Sequence, residues 1–182
     1  MSRVDSFANC VDRSRGVTSR PMAIQIVRAA KGFSDWSGLL RLLREAFAYM
    51  DGRIDPPSSL HALTPVSIAA KAQAEALFLA TDQNELVGCI FARPLGDALY
   101  VGKLAVRTGR QGEGIGRRLM DAAERHARDT RLPYLELETR IELTENHAAF
   151  AALGFVKTAE GAHKGHVRPT FITMRKNLIP SQ

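Results

Sequence analysis

The sequence predicts an α/β (α+β) fold, a central mixed, mostly antiparallel sheet of six to seven strands with helices on both faces. Two observations predict it. Strand-like and helix-like apolar patterns follow one another in the order β-α-α-β-β-β-α-β-α-β-β. Three of the strand patterns, at 77–81, 85–93 and 99–106, are joined by short turn sequences that suit antiparallel hairpins.

The 182 residues are the usual length of one domain and, at 45% apolar and 24% charged, can bury a substantial core. Residues 1–21 are polar, carry Arg3, Arg13, Arg15 and Arg20, and show no periodicity. They are expected to form a disordered N-terminal tail or, alternatively, an arm that docks on a partner. The folded domain is expected over 22–178 and starts with a strand at 22–28. Trp36, Leu39, Leu40, Leu43, Phe47 and Met50 then recur at helical spacing and predict a helix over 35–50, with Asp35 as its N-cap. Asp51, Gly52 and Arg53 end it, and the stretch from Asp55 through Pro56 and Pro57 to Ser59 reads as a loop. Thr64 before Pro65 opens a second helix to about Ala76. The hairpin strands follow, with turns at 82–84 and 94–97. A glycine-rich loop leads into a helix over 114–129, whose apolar stripe is Ile115, Leu119, Ala122 and Ala123. A strand at 134–139 and a short helix at 144–153 come next, with Gly154 at the left-handed position beyond the helix end. Strands at 155–158 and 168–176 finish the pattern.

The formal charge of +6 can solvate the surface, attract a polyanionic cofactor or bind nucleic acid. The basic residues are scattered and not interleaved with aromatics, so no nucleic-acid partner is expected. No apolar run approaches the roughly 18 residues that span a bilayer, and the first residues lack the apolar core of a secretory signal. A cytoplasmic protein without a membrane partner is expected. Cys10 and Cys89 form no close pair and read as reduced thiols. His163 and His166 have a loose metal-like spacing but no further ligands, so no metal is expected. No G-x-S-x-G elbow supports hydrolase chemistry.

The loop between Val106 and Met120 carries the chemistry. A strand feeds a glycine-rich turn, which feeds a helix whose first N–H groups are unpaired and partially positive. Glycines let that backbone approach a bulky anion, so the turn is a ready phosphate site. Arg117 and Arg118 sit beside it and can add charge-assisted contacts. A Walker loop is excluded, because Ile115 stands where the lysine after Gly114 is required. The dinucleotide fingerprint fails too: the glycines are misplaced, and the loop follows antiparallel-looking strands and not the first strand of a βαβ unit. The pattern that fits is Q/R-x-x-G-x-G/A, read here as Gln111, Gly112, Glu113, Gly114, Ile115 and Gly116.

On those residues the chain resembles the GCN5-related N-acetyltransferase (GNAT) superfamily. The likeness extends to Leu104, Ala105 and Val106, similar to the strand that pairs with the pantetheine arm. It extends also to the stretch from Thr144 to Leu153, Gly154 and Phe155, similar to the family's later helix and its LGF ending. It implies acetyl-CoA (coenzyme A) as cosubstrate, no metal, and binding through Leu104–Val106, the turn at 111–116, Arg117, Asn146 and Phe150. Asn146 can alternatively cap its helix.

Acetyl transfer needs a deprotonated amine, a stabilised oxyanion and a leaving thiolate. The family often uses a glutamate as base. The strand holding Leu104 has none, whereas Glu136 and Glu138 share one face of the next strand. Glu138, just before the loop to the later helix, is the expected base, as in family members resembling bacterial ribosomal-protein acetyltransferases. The family's usual acid is a tyrosine four residues before the LGF glycine. Phe150 stands there and cannot donate a proton, so the thiolate is expected to leave unassisted or to take a proton from water. In the family the first helix, the following loop and the last strands shape the acceptor side, which by resemblance points to Tyr49, Met50, Asp51, Ile54, Asp55, Arg168 and Thr170, with Asp51 and Asp55 attracting a cationic amine or merely capping turns. The expected partner is a small-molecule amine or a peptide acceptor, and a homodimer is compatible with the sequence. The leading function is therefore an N-acetyltransferase. The alternative is an acetyl-CoA-binding sensor with little or no turnover, and a third reading is a basic nucleic-acid-binding domain. Thiol release with an amine panel separates the first two, and salt-dependent nucleic-acid binding tests the third.

Overall fold

A computed structural model describes residues 24–179. The tail expected over 1–21 lies outside the described residues. The elements are β1 (Gln25–Arg28), α1 (Trp36–Phe47), α2 (Pro65–Ala74), β2 (Ala76–Asp82), β3 (Glu85–Leu95), β4 (Ala98–Val106), α3 (Ile115–Asp129), β5 (Tyr134–Arg140), α4 (Thr144–Ala152), β6 (Val156–Gly161) and β7 (Phe171–Asn177). Two 3-10 turns, Ala48–Met50 and Ser59–Ala62, lie between α1 and α2.

Local chemistry sets most of the boundaries. Asp35 accepts the Gly38 N–H at 2.9 Å and starts α1. Thr64 and Ser67 cap α2 reciprocally, at 2.9 and 3.1 Å, with Pro65 in the first helical position where a missing N–H costs nothing. Gln83 and Asn84 both take positive φ, 48° and 69°, between the paired Asp82 and Glu85, which is the type I′ geometry that matches strand twist. Three of the boundaries that differ from the expected ones have a local cause. Helix α2 stops at Ala74 because Glu75 is already extended (φ −126°, ψ 154°). Strand β7 starts at Phe171 and not at Arg168, since Pro169 offers no N–H to a ladder. Strand β6 runs on to Gly161, because Phe171 still pairs there.

One sheet holds all seven strands in the order β1-β2-β3-β4-β5-β7-β6. Every pairing is antiparallel except β4 with β5. Side chains alternate across it and build two cores. On one face Ile115, Leu119, Ala123 and Ala127 of α3 pack on Ile90, Leu99 and Leu135. On the other, Leu39 and Leu43 of α1 and Ile68 of α2 pack on Leu77, Leu79, Cys89 and Phe91. Burial pushes the Cys89 thiol up to about 12, which keeps it protonated and unreactive.

The sheet opens in its middle. Strands β4 and β5 pair only from Ala98 to Tyr100 against Tyr134 to Glu136. Beyond that point β4 stays with β3 as far as Val106, and β5 stays with β7 as far as Arg140. A bulge accompanies the divergence: Cys89 faces Ala105 and Phe91 faces Gly102, so Lys103 and Leu104 together oppose Ile90. Lys103 takes a left-handed φ of 51° there. An extra residue bends a strand and increases its twist, which carries β4 away from β5. Among the described residues β4 and β5 pair no further, which leaves two strand edges facing each other across a gap.

Candidate active site

A cleft of about 610 Å3 lies where the sheet opens. Its floor is the β4 stretch from Tyr100 to Val106 and the β5 stretch from Leu137 to Arg140. Helices α3 and α4 bound one end through Gly116, Arg117, Met120, Asn146 and Phe150. Residues of α1, of the two 3-10 turns and the loop between them, and of α2 complete the lining, among them Tyr49, Ser58, Leu60 and Lys71.

The first end is built for an anion. Among the described residues no backbone N–H from residue 111 to 117 makes a well-aligned hydrogen bond to a backbone carbonyl or a side chain, and the first such bond beyond the turn is Arg118 N–H to Gly114 C=O at 3.1 Å. Gly114 is the N-cap of α3 and, at φ 77°, has the left-handed backbone that turns these amides outward. A row of unpaired amides at the positive end of a fifteen-residue helix fits a pyrophosphate. Neighbours brace the turn. Arg110 reaches Glu113 at 2.7 Å and Asp82 at 3.1 Å, and Arg107 donates to the Leu86 carbonyl at 2.6 Å. The Glu113 carboxylate is thus turned to Arg110, whose hydrogen bond holds it below the usual carboxylate range. Glu113 can meet a ligand only through its backbone. The same holds for Ile115, whose side chain is buried in the core. Arg117 lines the cleft, but Arg118 is engaged elsewhere, donating to the Ile24 carbonyl at 2.5 Å.

Leu104, Ala105, Val106 and Gln111 line the cleft, as do Phe150 and Asn146. Asn146 does not cap its own helix, which begins after Leu143 without a side-chain cap. It donates instead to the Tyr49 hydroxyl at 2.9 Å. Phe150 follows Asn146 by four residues, so the two share a face of α4. The Tyr49 hydroxyl therefore sits against the wall on which Phe150 offers no hydrogen bond.

The two glutamates of β5 have different fates. Arg175 on β7 donates to Glu136 at 2.8 Å and also pairs with Asp97. Glu138 makes no ion pair among the described residues and opens into the cleft. Enclosure raises its pKa above the ordinary carboxylate value, the Glu136 charge adds to that, and Arg93 opposes it. Tyr100 lies nearby, its phenol pushed up to about 12 by burial and then by Glu138, so it keeps its proton as a donor. Five expected acceptor residues are not in the site. Asp51 pairs with His61 at 2.9 Å, Asp55 is exposed, and neither these nor Ile54, Arg168 and Thr170 line the cleft.

Several cleft residues escape a sequence reading: Lys71, Tyr100, Lys103, Arg140 and His163. Arg140 donates to the Pro56 carbonyl and lies 2.9 Å from His163 Nδ1, which also approaches Thr170 Oγ1 at 2.6 Å. Burial, then Arg140, hold His163 below its usual range and keep it neutral. No local signal marks these residues, since the cleft exists only once α2, β4, β5 and the loop after β6 come together. Among the described residues no group of three His, Cys, Asp or Glu could hold a metal ion, and no helix is long and apolar enough to cross a membrane.

Comparison with known proteins adds family and fold. The model of the acetyltransferase (GNAT) family matches residues 36–155. The fold is similar to that of the PaiA N-acetyltransferase of Thermoplasma acidophilum in complex with coenzyme A (15% identity, TM-score 0.71, 86% of this chain and 99% of that one). It is similar to a GNAT family acetyltransferase of Elizabethkingia anophelis with acetyl-CoA bound (20%, 0.61, 85% and 97%). It is also similar to the ribosomal-protein-S18-alanine N-acetyltransferase of Escherichia coli (15%, 0.64, 88% and 97%). No curated protein matches the sequence significantly.

Proposed function

The chain belongs to the acetyltransferase (GNAT) family, and from that premise we propose that it transfers the acetyl group of acetyl-CoA directly to a primary amine of a small-molecule or peptide acceptor, in the cytoplasm and without a nucleic-acid or membrane partner. The observation that carries this reading is the cleft's construction. Unpaired amides at the start of α3 serve the pyrophosphate, the splayed edges of β4 and β5 can pair with an extended amide-bearing arm, and an unpaired carboxylate waits beyond them.

Acetyl-CoA, when bound, supplies a thioester carbonyl ready for acyl transfer. Gly112, Gly114 and Gly116 let the turn approach its phosphates, and Arg117 adds a cation. Glu138 removes a proton from the acceptor ammonium, aided by a pKa raised towards the working range. The Tyr49 phenol, held by Asn146, places a proton at the α4 wall where Phe150 has none to give. Tyr49→Phe is expected to lower kcat about tenfold, near the value of one hydrogen bond to a charged group, while KM for acetyl-CoA stays close to wild type. An unchanged kcat would remove Tyr49 from the proton path.

Phe150 also favours a second reading, an acetyl-CoA-binding sensor with little turnover. Two measurements separate the readings. Coenzyme A at millimolar concentration is expected to raise Tm by mass action under both, and no shift would defeat both. Thiol release from acetyl-CoA in the presence of an amine panel is expected only for the enzyme.

A further inference from the structure

The cleft is basic. Glu138 is the one carboxylate among its lining residues, whereas Lys71, Lys103, Arg117 and Arg140 are its cations. Three of these have occupations. Arg117 belongs to the phosphate end, Arg140 is held by the Pro56 carbonyl and His163, and Lys71 pairs with Glu75 at 2.5 Å. The second contact of Glu75 goes to Arg93 at 3.7 Å. Lys103 has no ion pair among the described residues.

Lys103 is also where β4 bulges, at a φ of 51° that a side chain rarely adopts. It lies on the α1/α2 side with Lys71 and Glu75, and Arg93 continues the cluster, its guanidinium 4.9 Å from the centre of the Tyr100 ring beside Glu138. Enclosure, then the Lys71 charge, hold its ammonium below the usual lysine range. Glu75 opposes this in part but is itself paired with Lys71, so Lys103 gains from a further anion.

We propose that the acceptor amine carries a carboxylate, which Lys103 holds while the amine faces Glu138. This rests on the acetyl-transfer reading above and names its substrate class: amino acids or peptides with a free carboxylate. A polyamine is disfavoured, because its second ammonium would meet Lys103 and Lys71 and find no second carboxylate on the cleft wall.

The test is thiol release with the standard amino acids, their C-amides, spermidine and 2-aminoethyl phosphate. The best acid is expected to exceed its own amide in kcat/KM by about ten- to hundredfold, the range of one charge-assisted hydrogen bond. Lys103→Asn, chosen because asparagine tolerates the left-handed backbone, is expected to raise KM for the acid by a similar factor. It should collapse the discrimination between acid and amide and leave KM for acetyl-CoA unchanged, while Lys103→Arg should retain the discrimination. Spermidine matching or exceeding the acids would overturn the proposal, as would an equal loss for acid and amide in Lys103→Asn. A clear preference for 2-aminoethyl phosphate over every amino acid would overturn the carboxylate assignment. Calorimetric titration of the same acids and amides into the coenzyme A-loaded protein separates the two readings. Lys103-dependent binding of acids without turnover would sustain this inference and defeat acetyl transfer. Turnover of amines with no preference for acids would do the reverse.

Discussion

Glu138→Gln is expected to lower kcat by about a hundredfold or more, since general-base catalysis typically contributes about 10²–10⁴. The glutamine keeps the shape and the cleft but cannot accept a proton from an ammonium. KM for acetyl-CoA should barely move, because the carboxylate serves the acceptor amine and the phosphates are left to the backbone amides before α3. Glu136→Gln is the control on the same strand face. Its carboxylate is committed to Arg175, so that variant should lose stability more than rate. The pH profile follows from the sign of the shift. The Glu138 pKa lies above the ordinary carboxylate value, so activity should rise as pH climbs through that raised pKa and through deprotonation of the amine. The same sign has a consequence for folding. A carboxyl group whose pKa is higher folded than unfolded binds its proton better in the folded state, so stability falls as pH rises through the interval and stays lower above it. At neutral pH Glu138→Gln should therefore melt at or above the wild-type Tm while losing activity. A variant that keeps its rate would leave positioning of an already neutral amine as the main catalytic device, and a dead Glu136→Gln beside an active Glu138→Gln would reassign the base.

Gly114→Val is expected to weaken coenzyme A binding by about ten- to hundredfold or more, the worth of one or two hydrogen bonds to a charged group. A Cβ at Gly114 would meet no protein atom within 4 Å, so the fold has room for it. The open space is where a phosphate must come close to the amides of α3. The φ of 77° adds backbone strain of about 1–2 kcal/mol for a residue with a Cβ. Gly109→Val isolates that strain, because Gly109 has a φ of 87°, equally open space, and a position outside the turn at 111–116. Calorimetry should show a large affinity loss for Gly114→Val and a small one for Gly109→Val, with a modest drop in Tm for both. Equal affinity in all three proteins would place the pyrophosphate elsewhere.

The sequence by itself determined what short-range physics can write. The positive-φ turn at Gln83 and Asn84, the caps at Asp35 and Thr64, and the left-handed Gly154 each depend on a few adjacent residues. So does the glycine turn before α3, because amides that no backbone or side-chain acceptor takes leave their mark as a residue pattern. The alternating strands and the amphipathic stripe of α3 were legible for the same reason, a fixed repeat along the chain. Only the tertiary structure decided which of two glutamates is available, since Arg175, on a strand placed beside β5, takes Glu136 and leaves Glu138. It also decided the opening of the sheet. The bulge puts lysine, not glycine, at a left-handed φ, so no residue type announced it. The charge of the cleft followed in the same way. Asp51 turned to His61 and Asp55 to solvent, while Lys71 and Lys103 arrived from a helix and a strand thirty-two residues apart in the chain. Which charges share a cleft is set by how helices pack on a sheet, and that packing is a sum over distant contacts that no window of sequence contains.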